Sequence, residues 1–244
     1  MRIVTWNCRG AFARKSEALF ALKADLAIIQ ECSKKDSEAL QLAGHNNLWF
    51  GPEDAKKGIA IFYEVLWKLS LLAPIDHTWI IPLEVCGPEN FSLMAVWTVI
   101  EGGTQGYVKL LRDSLKLHPE WYSGGNVVMA GDFNSSCQWD KSPHYNHRSL
   151  VESLEEHGLA SAYHLHYAAE HQGAELSKTF RSTRKLEYHI DYIFVPVTWK
   201  DRLQGCEAGT FDQWSKHSDH CPLIIDVVSQ SSSMMSTPEL VRHA

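Results

Sequence analysis

Short, nearly continuous apolar runs recur along the chain, separated by polar stretches. Arg2 to Trp6, Leu26 to Gln30, Ile59 to Tyr63, Phe91 to Ile100, Val127 to Ala130, Tyr192 to Val195 and Pro222 to Val228 are all of strand length. Runs without strict alternation are what strands covered on both faces require. Between them the period changes. Tyr107, Leu110, Leu111 and Leu115 recur at i, i+3, i+4 and i+8, and Leu150, Leu154 and His157 at i, i+4 and i+7, which predicts amphipathic helices. Lys15 to Leu22 is helix-like, so the first 35 residues read strand, helix, strand. The pattern predicts an α/β fold with a covered, sheet-based core and helices on the outside.

Composition narrows the setting. With 244 residues, 45% of them apolar, the chain has material for a substantial core, which excludes disorder as its main state. No stretch approaches the ~20 apolar residues that span a bilayer, and the N-terminus lacks a secretory h-region, so a cytoplasmic protein with no membrane contact is expected. Lys and Arg number 23 against 29 Asp and Glu, a formal charge of -6, so a polyanion must be held by a local patch or a metal. The six cysteines are scattered singly with no C-x-x-C pair, which argues against zinc ribbons and redox motifs and for buried small hydrophobes. Ser135 to Ser149 reads as a polar surface loop. Neither an internal repeat nor a linker interrupts the chain, so residues 1–228 are expected to form one domain and Ser229 to Ala244, serine-rich and aperiodic, a disordered tail.

Chemistry gathers where apolar runs end. Thr-Trp-Asn7, Ile-Ile-Gln-Glu31, Met-Ala-Gly-Asp132-Phe-Asn134 and Ser-Asp219-His220-Cys-Pro each set polar groups at the edge of a strand, and His189-Ile-Asp191 starts one. Burying such groups singly would cost about 2 to 7 kcal/mol each, so they must meet one another, or water and an ion. Carboxylates and amides with one imidazole suit a hard cation, Mg²⁺ or Mn²⁺, better than zinc. A hard cation beside groups that orient water and clamp phosphate oxygens is the equipment of phosphoester hydrolysis.

These pieces, in this order, resemble the signature of the endonuclease/exonuclease/phosphatase superfamily, over Arg2 to about Val228. The resemblance implies a four-layer α/β sandwich, two packed mixed sheets flanked by helices, with the site at one edge. It also implies a divalent metal and in-line attack of water on phosphorus. Transferred to this chain, it makes Glu31 the principal metal carboxylate, with Asn7 beside it and Asp219 as a further metal or water ligand. Asp132 would orient the attacking water, Asn134 would donate to a nonbridging oxygen, and His220, held by Asp191, would hydrogen-bond the phosphoryl group. The choice of base between His220 and Asp132 stays open. Many members carry a second histidine, or a Tyr-Val-Pro-Asn-like segment, where this chain reads Ala95-Val96-Trp97-Thr98-Val99. Tyr107 is the candidate here for a phosphate-contacting hydroxyl.

The histidines from His144 to His171 fit no zinc spacing, and no cysteine partners them. Trp121 and Trp139 are read as packing residues. Lys178, Arg181, Arg184 and Lys185 form the best local basic patch. The expectation is a monomeric metal-dependent nuclease. A phosphatase or phosphodiesterase of a small phosphorylated molecule or lipid headgroup, and a noncatalytic binding module, are the alternatives.

Overall fold

The structure, a computed structural model, describes residues 1–52, 55–75, 79–99, 104–141 and 145–229. Two six-stranded sheets carry it. The first runs, in spatial order, β13 (Leu203–Ala208), β14 (Leu223–Val227), β1 (Arg2–Asn7), β2 (Leu26–Cys32), β4 (Gly58–Tyr63) and β3 (Asn47–Phe50). The second runs β5 (Lys68–Leu71), β6 (Ile80–Cys86), β7 (Phe91–Trp97), β8 (Val127–Asp132), β12 (Asp191–Pro196) and β9 (Leu159–Ser161). β1 pairs with β2, and β7 with β8, in parallel, while the other pairings are antiparallel. A two-stranded ribbon, β10 (Phe180–Arg181) and β11 (Glu187–Tyr188), stands apart.

Period-two alternation sorts the strand residues into layers. Ile3, Leu26, Ile28, Ile59 and Ile61 of the first sheet meet Leu83, Leu93, Val128, Ala130, Ile193 and Val195 of the second in one core between the sheets. Each isoleucine, leucine or valine among them, fully buried, contributes about 1.5 to 3 kcal/mol. Their neighbours point outward. Val4, Trp6, Ala27, Ile29, Ala60 and Phe62 pack with Leu19 of α1 (Ser16–Phe20), Leu40 of α2 (Lys34–Leu42) and Phe211 and Trp214 of α6 (Phe211–Trp214). Met94, Val96, Val127, Met129, Tyr192 and Phe194 pack with Val108, Leu111 and Leu115 of α3 (Thr104–Leu117) and Leu150 and Leu154 of α4 (His147–Glu156). The short α5 (Ala162–His166) packs at the end of the inter-sheet core through Ala162 and Tyr163. The expected four layers, helix, sheet, sheet, helix, are present.

Some details differ from the sequence reading. In α3 the buried stripe is Val108, Leu111 and Leu115, and Tyr107 and Leu110 lie half-buried beside it. His157 follows α4 and is exposed: its Nδ1 lies 2.8 Å from the Ser153 carbonyl of the last helical turns and does not reach the core. The stretch after β8 is only partly a surface loop: Ser135, Ser136 and His147 are buried, and Asp140 turns its carboxylate onto the backbone N–H of His147 and Arg148, where it caps α4 together with Asn146. Residues 142–144 of that stretch, and 230–244 of the expected tail, lie outside the described residues.

One glycine is required by this packing. Gly131, at φ 155°, lies so close to β7 that a Cβ would meet the Val96 carbonyl oxygen at 1.8 Å. Any larger residue would push apart the two strand ends that flank Asp132.

Candidate active site

The alternation that builds the core also builds the site. Continuing the inward series Ile3, Thr5 of β1 brings Asn7 inward, Val128, Ala130 of β8 brings Asp132, and Asp191 precedes Ile193, Val195 on β12. Asp132 and Asp191 are direct partners in the β8–β12 register. All three are almost fully buried, at 2%, 1% and 0% exposure, so bonds between them replace those that water would supply.

Those bonds tie the two sheets together. Asn7 Nδ2 donates to Asp132 Oδ2 at 2.9 Å and to Glu31 Oε1 at 3.3 Å. Asn134 donates from its backbone N–H to Asp132 Oδ1 at 2.9 Å and from Nδ2 to Oδ2 at 3.2 Å and to the Thr98 carbonyl at 2.8 Å. His220 Nδ1 lies 2.9 Å from Asp191 Oδ2. The histidine is fixed from behind as well, since its carbonyl accepts from Trp6 Nε1 at 3.0 Å and its N–H donates to Ser218 Oγ, which in turn donates to the Asn7 carbonyl at 2.8 Å. One oxygen or nitrogen each from Asp132, Asp191 and His220 lies within 4.8 Å of the others.

Electrostatics in this half is mutual. Burial is the largest influence on Asp132 and pushes its pKa up, the charge of Asp191 adds to the rise, and His220 and the bonds from Asn7 and Asn134 oppose it. For His220 burial alone would favour the neutral ring, but the Asp191 and Asp132 carboxylates and the Asp191 hydrogen bond outweigh it and raise the pKa. The two carboxylates thus favour the protonated ring, with Nδ1–H donated to Asp191.

The other half is open. Glu31 does not follow the strand alternation, which would send it outward with Ile29. Its left-handed φ of 59°, at an irregularity in the β2–β4 pairing between Ile29 and Cys32, turns its carboxylate back toward Asn7. Glu31 is paired with the ammonium of exposed Lys57, and Asp219 Oδ2 lies 3.4 Å from the Nε of exposed Arg9. Backbone at positive φ recurs here, at Arg9, Glu31 and Asn134, and strain of this type costs about 1 to 3 kcal/mol per residue and concentrates at functional sites.

Tyr107 stays outside this set: it is half-buried in the first turns of α3, and among the described residues no hydrogen bond links it to the cluster. Thr98, by contrast, was not singled out. It is buried, its N–H donates to the Asp132 carbonyl and its own carbonyl accepts from Asn134, while its hydroxyl oxygen has no partner among the described residues. It stands where the strand end turns into the segment that lacks the second histidine.

The sequence model of the Endonuclease/Exonuclease/phosphatase family matches residues 4–220. The chain belongs to that family. Among solved structures it is similar to a 3′ phosphatase, NExo, from Neisseria, bound to product DNA hairpin (TM-score 0.68, 20% identity, 93% of this chain and 99% of that one). It is also similar to an AP endonuclease from Archaeoglobus fulgidus (TM-score 0.66, 20% identity, 93% and 99%) and to the catalytic domain of APE2 from Xenopus laevis (TM-score 0.67, 15% identity, 93% and 91%). At these identities the likeness is one of fold. No curated protein matches the sequence.

Beside this cluster lies a polar network that the sequence did not disclose. His147 Nδ1 is 2.8 Å from Ser135 Oγ, His189 Nδ1 is 2.8 Å from the Ser177 carbonyl, and His164 Nε2 is 3.4 Å from buried Glu175. Burial holds the His147 pKa down at about 4. Glu175 is held at about 2, because bonding from His164, the charge of His189 and backbone N–H groups overcome a burial effect of opposite sign. Lys178, expected in a surface patch, faces Glu175 instead, whereas Arg184 and Lys185 are exposed. Trp121 is buried, as expected, and Trp139 packs edge-on against Tyr188.

Proposed function

We propose that this family member is a Mg²⁺- or Mn²⁺-dependent phosphodiesterase that cleaves nucleic acid by in-line attack of water, with residues 1–228 as one catalytic domain. The observation that carries the reading is the convergence, at one edge of the sandwich, of Asn7, Glu31, Asp132, Asn134, Asp191 and His220 from both sheets. No packing requirement explains two aspartates in register with an imidazole between the sheets; their burial costs stability that only a function repays.

The donor set fits a hard cation. Glu31 and Asp219 offer carboxylates whose partners are exposed, long side chains that a divalent ion can displace, and buried Asp191 Oδ1 has no hydrogen-bond partner among the described residues. Glu31 and Asp219, with Asn7 beside them, would hold the ion. When bound, it supplies positive charge to the phosphoryl oxygens and lowers the pKa of water.

The chain's own groups do the rest. Asp132, held by three hydrogen bonds and with its pKa raised toward neutrality, orients the attacking water and accepts its proton. His220, kept cationic by Asp191, donates to a phosphoryl oxygen and stabilises the charge that builds there. Asn134 supplies a second, neutral donor by exchanging the longer of its two amide bonds, the one to Asp132 Oδ2 at 3.2 Å, for a phosphoryl oxygen.

The test is hydrolysis of single- and double-stranded DNA, an abasic duplex, RNA and small phosphate mono- and diesters, with Mg²⁺, with Mn²⁺ and with chelator, beside Asp132→Asn. Metal-dependent cutting of a nucleic acid, lost in the variant, is expected. Cleavage confined to small esters would replace the substrate assignment with a small-molecule phosphoesterase, and wild-type silence across the panel would remove the reading.

A further inference from the structure

Next to the reaction centre, on the Asp219 side, lies a cavity of about 190 Å³ walled by Arg9, Arg181, Thr183, Ser215, Ser218 and Asp219. We propose that it is a phosphate subsite, which takes a second phosphate of the substrate, one nucleotide away from the scissile bond. The proposal rests on the phosphodiesterase reading for its neighbour, but the cavity's own chemistry carries it.

Its donors are the hydroxyls of Thr183 and Ser215 and two guanidiniums, whose charged N–H groups suit phosphate oxygens. Arg181 is set in place from two sides. Its Nε and Nη2 reach Glu187 Oε1 at 2.8 and 2.6 Å, and its guanidinium lies 4.1 Å from the centre of the Phe211 ring. Nη1 has no partner among the described residues. Phe211 is the aromatic ring of this wall, and Arg181 already covers it, so no platform remains for stacking a base. That favours a phosphate over a nucleobase as the occupant.

Arg9 is placed at a cost. Arg9, Gly10 and Ala11 run consecutively at φ 56°, 77° and 50°, and two of the three carry a Cβ. The conformation is pinned by the Arg9 N–H on Asn7 Oδ1 at 3.0 Å, the Phe12 N–H on Asp36 Oδ2 at 3.0 Å and Lys15 Nζ on the Cys8 carbonyl at 2.6 Å. Strain held this firmly serves the position of the side chain it presents, and that side chain faces the cavity beside Asp219.

The cavity and the reaction centre also share a wall. Arg181 N–H donates to the Asp219 carbonyl at 2.8 Å, and Ser218 bonds both Asn7 and His220. A phosphate held there is therefore indexed to His220 by a short run of rigid backbone. In a chain of net charge -6, this local pair of arginines also answers how a polyanion is engaged without a basic face.

The test uses the full chain, with Arg9→Gln and Arg181→Gln checked for unchanged thermal unfolding. Binding of inorganic phosphate without metal, by calorimetry, reads the subsite directly: at least about tenfold weaker binding in each variant is expected. Equal binding in wild type and both variants overturns the subsite, whether or not the enzyme turns over. Turnover gives the second reading. Dinucleotides TpT, pTpT and TpTp are compared as ratios of kcat/KM, and one of the doubly phosphorylated forms should exceed TpT by at least about tenfold in the wild type and by little in either variant. The same advantage seen on a sugar bisphosphate, and absent on the dinucleotides, would assign the second phosphate to a small molecule. Phosphate binding lost in the variants, with no hydrolysis of any substrate by the wild type, would keep the subsite and sink the nucleolytic reading.

Discussion

The two halves of the candidate site are built on opposite terms. Asp132, Asp191 and His220 are buried between the sheets and neutralise one another, whereas Glu31 and Asp219 sit at the opening and are neutralised by exposed Lys57 and Arg9. A carboxylate buried against an imidazole keeps its charge and uses it to favour the neighbour's protonated form; one paired with a surface cation keeps its charge available for exchange. On the proposed reading the buried half manages protons and the open half gains and loses an ion.

Removing groups from the buried half has the largest expected effect. Asp132→Asn and His220→Ala should each lower kcat by about 10² to 10⁴ at saturating metal, measured on whichever phosphodiester the wild type cuts. A loss under tenfold in both would break the division.

The next effect is on stability, and it comes from the polar network behind the buried half. Native His147 stays neutral down to about pH 4, while in the unfolded chain it takes up a proton near 6.5. Between those values the unfolded state binds more protons at this residue, so the His147 contribution falls as pH falls, by about 3 kcal/mol in total at about 1.4 kcal/mol per pH unit, while Asp132, whose raised pKa lets the native state take up a proton in the same window, contributes with the opposite sign. Below about 4.5, loss of the charged form of Glu175 extends the decline in the same direction. Urea unfolding of the wild type and of His147→Gln from pH 7 to 4 isolates the His147 part: the stability difference, wild type minus variant, should fall by about 3 kcal/mol across that range.

The smallest effect belongs to the open half. Lys57→Ala removes an exposed partner of Glu31, so stability should change by less than about 1 kcal/mol. Because the ammonium competes for the same carboxylate, the metal concentration for half-maximal activity should fall a few-fold. A rise instead would mean that Lys57 helps hold the substrate rather than opposing the ion.

Legibility in the sequence followed the same division. Covered strands announce themselves as apolar runs, and period two then carries Asn7, Asp132 and Asp191 to one edge without further information. The placement of Glu31 was not readable, because it depends on a left-handed residue at a pairing irregularity that no residue type signals. Lys57 and Arg9 were missed for another reason: single surface cations gain meaning only when folding sets them beside a carboxylate. The His147, His164, His189 and Glu175 network was hidden by composition, since a polar stretch looks exposed until capping and core contacts draw its histidine inside. Tyr107 shows the converse, a correct helix whose inward stripe falls one residue over, on Val108.

The division of labour is tested most directly by titrating activity with Mg²⁺ in Glu31→Gln and Asp191→Asn beside the wild type. Glu31→Gln should raise the half-saturating metal concentration by about 10- to 100-fold with kcat largely recovered at high metal. Asp191→Asn should leave that concentration near the wild-type value and lower kcat, with the loss undiminished by added metal. The reverse pattern, a metal requirement that moves with Asp191 and not with Glu31, would contradict the account.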